Sequence, residues 1–159
     1  QRLLALSQPP YAAFVSCPLG DILSLSPELF LQFGEDGSVL TRPIKGTRPR
    51  REDAAEDLAQ FNDLATHPKD HAENVMIVDL LRNDLGKHAA IGSVKVPKLF
   101  SVVSFPQVHH LISDVTCQLK EDSHPLDLLF DAFPGGSITG TPKKRAMEII
   151  SSNLEIFSS

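Results

Sequence analysis

The segment NVMIVDLL, residues 74–81, constrains the fold most. It reads as the middle of a helix that opens near Pro68, where the first turn tolerates proline, runs to about Asp84 and is stopped by Gly86. Being apolar on nearly all sides, that helix is expected to be buried. The chain has 159 residues, 42% of them hydrophobic, enough for one domain with one sizeable core. A preceding helix is read over 53–66, where Asp53 can cap DAAEDLAQFNDLAT and Glu56 completes a capping-box spacing. Its apolar face is Leu58, Phe61 and Leu64-Ala65.

Strands flank this helical centre. Residues 11–16 and 21–26 are apolar runs separated by Pro18 and Gly20, which suits a hairpin. Residues 29–33 and 38–42 flank GEDG, where Asp36-Gly37 predicts a two-residue hairpin turn. The stretch PIKGTRPRRED, residues 43–53, reads as a loop, with two prolines and four Lys/Arg between Lys45 and Arg51. Residues 92–119 return to strand as SVKV, KLFSVV and HHLISDVTCQL. A short helix follows over 122–133, with Pro125 near its start. The glycine-rich turn PGGSITG, residues 134–140, then leads into a helix with Thr141 as N-cap and Pro142 at its first position. One α/β domain, without repeats or linkers, is expected.

Charge and cysteine content narrow the function. The net charge of −5 speaks against nucleic acid, whose partners need a basic face. No apolar run approaches the roughly 20 residues that span a bilayer, so no membrane segment is expected. The opening residues QRLLALSQPP lack the parts of a signal peptide. Cys17 and Cys117 lie 100 residues apart, in neither a disulfide nor a metal pattern, which suits a reducing cytoplasm.

Several residues could carry chemistry. Gly135, Gly136 and Ser137, followed by Gly140, Thr141, Pro142 and Lys143, form either an anion cradle at a helix N-terminus or a plain helix-entry loop. The spacing is not that of a Walker loop. Lys45 is either a solvated lysine in a basic loop or an amine activated by its neighbours. Glu73, near Ile77 and Leu80 on the buried helix, must be paired, protonated or metal-bound. Asp79, Arg82 and Asn83 read as a salt-bridged stripe. His109 and His110 open an apolar strand and point to opposite faces, one as a core histidine and the other as a proton carrier. The other histidines have no zinc spacing. Glu28 ends a strand and is either a surface charge or an acid–base group.

Six segments in one order carry a resemblance: ILSLSPELFL (22–31), TRPIKGTRPR (41–50), KDHAENVMIVDLLRNDLG (69–86), GSVKVPKLFSV (92–102), VHHLIS (108–113) and FPGGSITGTPKKRAMEII (133–150). Together they resemble the chorismate-utilising enzymes, above all their aminodeoxychorismate synthase component I branch. PIKGT speaks for that branch, because anthranilate and isochorismate synthases typically have alanine where Lys45 stands. The resemblance implies antiparallel sheets layered with helices. It also implies chorismate as substrate and a glutamine amidotransferase partner that supplies ammonia, the product being the 4-amino-4-deoxychorismate of para-aminobenzoate and folate synthesis. By the same resemblance Lys45 is a nucleophile, Glu28 and His110 are acid–base groups, and Gly46 and Thr47 contact chorismate. Glu73 becomes a Mg²⁺ carboxylate, and Gly135, Gly136, Ser137 and Lys143 lie near the substrate. Pro10, Tyr11 and Ala12 match part of a tryptophan pocket.

The chain departs from the family at Leu29, where relatives usually have arginine, and at Thr141, where they have alanine. After Ile150 it reads SSNLEIFSS, without the tyrosine, arginine, carboxylate loop and second Mg²⁺ carboxylate that relatives add. The expectation is therefore a partial catalytic domain over 1–159. The alternatives are another synthase of the family or an inactive remnant.

Overall fold

A computed structural model describes residues 9–156 of the chain, with side chains through Ser152. The first eight residues of QRLLALSQPP and the end of the SSNLEIFSS tail lie outside the described residues. In chain order the elements are strands β1 (Tyr11–Cys17), β2 (Gly20–Ser26), β3 (Leu29–Phe33), β4 (Ser38–Arg42) and β5 (Ile44–Pro49), then helices α1 (Ala54–Thr66) and α2 (Pro68–Gly86). Strands β6 (Lys95–Ser104) and β7 (Val108–Gln118) follow, then helices α3 (Pro125–Ala132), α4 (Gly136–Thr139) and α5 (Lys143–Ile156).

Strands β1 and β2 form a separate hairpin, paired from Tyr11 with Ser26 to Cys17 with Gly20. The main sheet is built on β7. One edge of β7 is lined end to end by β4, on residues 115–118, and by β5, on residues 108–112. Its other edge carries β6, and β3 pairs with β4 on the outside. All these pairings are antiparallel.

Helix α2 lies on this sheet with Asn74, Ile77, Val78, Leu81, Asp84 and Leu85 inward. The core joins Val78 and Leu85 to Val39, Val115 and Cys117 of the sheet and to Leu128 and Ala132 of α3. Leu85 and Leu128 are both fully buried, and each such leucine stabilises the fold by roughly 2 kcal/mol. Among the described residues no helix is long and apolar enough to cross a membrane.

Five expectations change. The loop expected over 43–53 contains β5, because β7 has a free edge there and because Arg48 and Arg50 are neutralised by carboxylates of α1 and α2. The GEDG turn is wider than two residues. The Gly37 amide donates to the Gly34 carbonyl, the Gly34 amide to Ser38, and Gly37 takes a φ of +78° that glycine adopts without strain. The helix through 74–81 is buried on one face only, with Val75 and Met76 exposed, because a sheet covers just one side of it. Leu58 is exposed as well, so the inner face of α1 is Leu64 with Phe61. Finally, α5 begins at Lys143, and the Ala146 amide donates to the Pro142 carbonyl, which puts Pro142 just ahead of the helix. The cap by Asp53 forms as expected, through the amides of Ala55 and Glu56.

Candidate active site

Glu28 stands in the turn between β2 and β3 and is held there by its own backbone. Its amide donates to Ser26 Oγ at 3.2 Å, and Ser26 Oγ donates to the Glu28 carbonyl at 2.9 Å. The carboxylate is fixed through one oxygen. Oε1 accepts from Ser137 Oγ at 3.0 Å and from the Ile44 amide at 3.4 Å. Those two donors come from α4 and from the start of β5, so one carboxylate joins two motifs far apart in sequence.

Beside it, β5 and β7 bring Thr47 opposite His110. Thr47 Oγ1 and His110 Nδ1 share a hydrogen bond of 2.9 Å, and the Phe105 ring stands edge-on to the imidazole at 5.5 Å. Burial lowers the pKa of His110, and the Glu28 charge opposes that shift, so the two groups sense each other. His109 points the other way and is a satisfied core residue. It is 2% exposed, bonded to Ser104 Oγ at 2.8 Å and Asp57 Oδ1 at 3.1 Å, with its ring edge-on to Phe61. Arg50, the Arg51 amide and His109 all converge on Asp57 and hold its carboxyl well below the usual carboxylate range.

Lys45 lies on β5 between Ile44, whose amide reaches Glu28, and Thr47, which reaches His110. It is half-buried and makes no hydrogen bond or ion pair among the described residues. Gly46 follows at φ +96°, where a Cβ would come within 2.8 Å of Leu64 Cδ1 and 3.0 Å of Asp70. A side chain there would push β5 off the helices. The strand is clamped next door by Arg48, which donates to Asp63 at 2.6 Å and Asp70 at 2.9 Å. Asp70 also faces His67 at 3.1 Å. Asp70 is a residue that the sequence reading missed, though it lies three positions before Glu73 in one motif.

Glu73 occupies the strip of α2 between Asp70, under Gly46, and Leu80, against which Gly136 packs. Its side chain is 45% exposed and forms a long ion pair with Lys69 at 3.8 Å, one turn earlier on the helix. Among the described residues no group of three metal-binding side chains forms. Mg²⁺ commonly binds through one or two carboxylates while keeping several waters, and Glu73 fits as one such ligand. Asp79 and Arg82 pair at 3.0 Å on the solvent side, as the spacing predicts.

The glycine-rich segment is a short helix rather than an open cradle. The amides of Ile138 and Thr139 donate to the Gly135 carbonyl and that of Gly140 to Gly136. Gly135 and Gly136 give close approach to Phe30 and Leu80. Lys143 is placed apart from Glu28 and His110. Its ammonium donates to the buried Asp84 and, at 2.8 Å, to the Ala132 carbonyl, which ties α5 to α2 and α3. An open groove of about 1180 Å³ along α2 and α5 contains Lys143 but not Lys45, Glu28 or His110. Pro10 and Tyr11 line a smaller cleft of about 230 Å³ with Arg42 and Lys98, while Ala12 is exposed.

What this arrangement offers is an amine without a partner among the described residues, a carboxylate held by one oxygen and a half-buried imidazole, on neighbouring turns and strands. That set can add to an electrophilic carbon and move protons on and off the departing group.

Comparisons with known proteins identify the family. Residues 1–155 match the model of the chorismate binding enzymes. The chain is 57% identical over 150 residues to aminodeoxychorismate synthase component 1 of Salmonella typhimurium, covering 94% of this chain and 33% of that protein. It is 43% identical over 150 residues to anthranilate synthase component 1 of Bacillus subtilis, covering 94% of this chain and 29% of that protein. Its fold matches the crystal structure of anthranilate synthase component I from Streptococcus pneumoniae with a TM-score of 0.77 at 35% identity, covering 92% of this chain and 31% of that one. The chain thus spans about a third of the length of the curated relatives it matches. With its motifs in order, its antiparallel sheet and its matched residues, the chain belongs to the chorismate-binding enzymes.

Proposed function

We propose that this chain is the part of an aminodeoxychorismate synthase component 1 that carries the nucleophile and its acid–base partners. The enzyme converts chorismate and ammonia to 4-amino-4-deoxychorismate and water, on the way to para-aminobenzoate and folate in the cytoplasm. Ammonia comes from glutamine through an amidotransferase partner. The observation that carries the reading is the position of Lys45, half-buried and unpaired among the described residues, between the strand contacts to Glu28 and His110.

The Lys45 amine adds at C2 of chorismate while the ring double bond shifts and the C4 hydroxyl leaves as water, taking its proton from the Glu28–His110 side of the site. Ammonia then adds at C4, the double bond returns, and the C2–N bond to Lys45 breaks; the proton lost by ammonia replaces the one given to water. Two allylic steps take the place of one direct displacement. Glu73 would hold Mg²⁺, which anchors a substrate carboxylate. Gly46 and Thr47 line the same strand as Lys45, and Ser137 keeps Glu28 in place.

The test is product analysis with the longer protein that contains this chain, given chorismate and an ammonium salt. Formation of 4-amino-4-deoxychorismate is expected. Anthranilate or isochorismate as the sole product would overturn the branch, and no turnover of chorismate would overturn the reading altogether.

A further inference from the structure

Of the two ring nitrogens of His110, one is taken and the other is open. Nδ1 is bound to Thr47 Oγ1 at 2.9 Å, a contact set by the pairing of Thr47 with His110 across β5 and β7. Nε2 has no hydrogen-bond partner among the described residues, and it is not one of the buried polar atoms left unpaired, which are His71 Nε2 and Asn74 Nδ2. Phe105 covers an edge of the ring and Val103 pairs with it from β6, so neither neighbour on that side brings a charge. The charged group that acts on it is Glu28.

We infer that Thr47 is a positioning residue that accepts the Nδ1 proton of His110 and thereby reserves Nε2 as the nitrogen that gains and releases a proton. In the neutral ring Nδ1 carries the hydrogen and Nε2 presents a lone pair. When Nε2 takes a proton the ring becomes imidazolium, and Nδ1–H still donates to Thr47. When Nε2 gives that proton up, the ring returns to the same neutral tautomer. The identity of a histidine's reacting nitrogen is set by the bond the other one makes. A threonine hydroxyl serves as acceptor here without adding charge, so it orients the ring and leaves the proton affinity to burial and to Glu28. This deepens the reading of His110 as a proton carrier and rests on it, yet it is measurable without turnover.

The experiment is long-range ¹H–¹⁵N NMR of the imidazole in the chain labelled at histidine, above the titration midpoint of His110. The expected spectrum has a protonated Nδ1 and an unprotonated Nε2. In Thr47→Val the ratio of tautomers should move several-fold toward Nε2–H, and Thr47→Ser should restore the original ratio. A wild-type spectrum with the hydrogen on Nε2 would overturn the inference before any variant is made. An unchanged ratio in a folded Thr47→Val would overturn it as well. The same ratio survives whether or not the parent enzyme turns over chorismate, so a failed function and a failed tautomer assignment give different results.

Discussion

Ser137 Oγ donates to Glu28 Oε1 at 3.0 Å, across 109 positions of sequence, and fixes which carboxylate oxygen is left for chemistry. A hydrogen bond to a charged group contributes about 1.5 kcal/mol. Ser137→Ala is therefore expected to lower kcat/KM for chorismate about tenfold in the parent enzyme, with Tm nearly unchanged. Ser137→Thr keeps the hydroxyl and most of the rate. Steady-state kinetics on both variants check this, and equal rates for alanine and threonine would contradict it.

His110 should titrate below its ordinary value of 6.5, because burial disfavours the imidazolium. Glu28 pulls the other way, so Glu28→Gln is expected to lower the midpoint further. The folded chain then binds this proton less readily than the unfolded one. Stability is complete above about 6.5 and declines as pH falls from there toward the folded midpoint. An NMR titration of the His110 ring in wild type and Glu28→Gln reads both signs at once.

Lys143 reads in sequence as a ligand-binding cation, whereas here it neutralises Asp84, which is 3% exposed. Asp84 also meets Lys87 at 3.3 Å, so removing Lys143 takes away one of two cations and costs less than the roughly 3–5 kcal/mol of a buried charge left wholly unpaired. Lys143→Met should therefore lower Tm. Adding Asp84→Asn to it should recover part of the loss, because the buried charge is gone. Thermal unfolding of the two variants decides, and an unchanged Tm for Lys143→Met would show that the clasp is not structural.

Local chemistry was legible where it decides structure locally. The runs 29–33 and 38–42 appear as strands with those bounds, and Asp53 caps its helix as its spacing implies. The failures are long-range. PIKGTRPRRED looks like a loop by composition, and it becomes a strand because Arg48 and Arg50 meet Asp63, Asp70 and Asp57 and because β7 offers its edge. The candidate site divides the same way. The opposite facing of His109 and His110 follows from strand alternation. The bonds of Glu28 to Ser137 and of Thr47 to His110 depend on how separate elements dock, which no local pattern encodes.

Lys45 carries the account, and its substitution tests the account most directly. Lys45→Ala in the parent enzyme, with chorismate and saturating ammonium, is predicted to reduce 4-amino-4-deoxychorismate formation at least about a hundredfold. Losing a covalent route costs at least ~2.7 kcal/mol in the barrier. Far-ultraviolet circular dichroism should stay that of the wild type, since Lys45 makes no hydrogen bond or ion pair among the described residues. Wild-type rates of product formation from a folded Lys45→Ala enzyme would contradict the account.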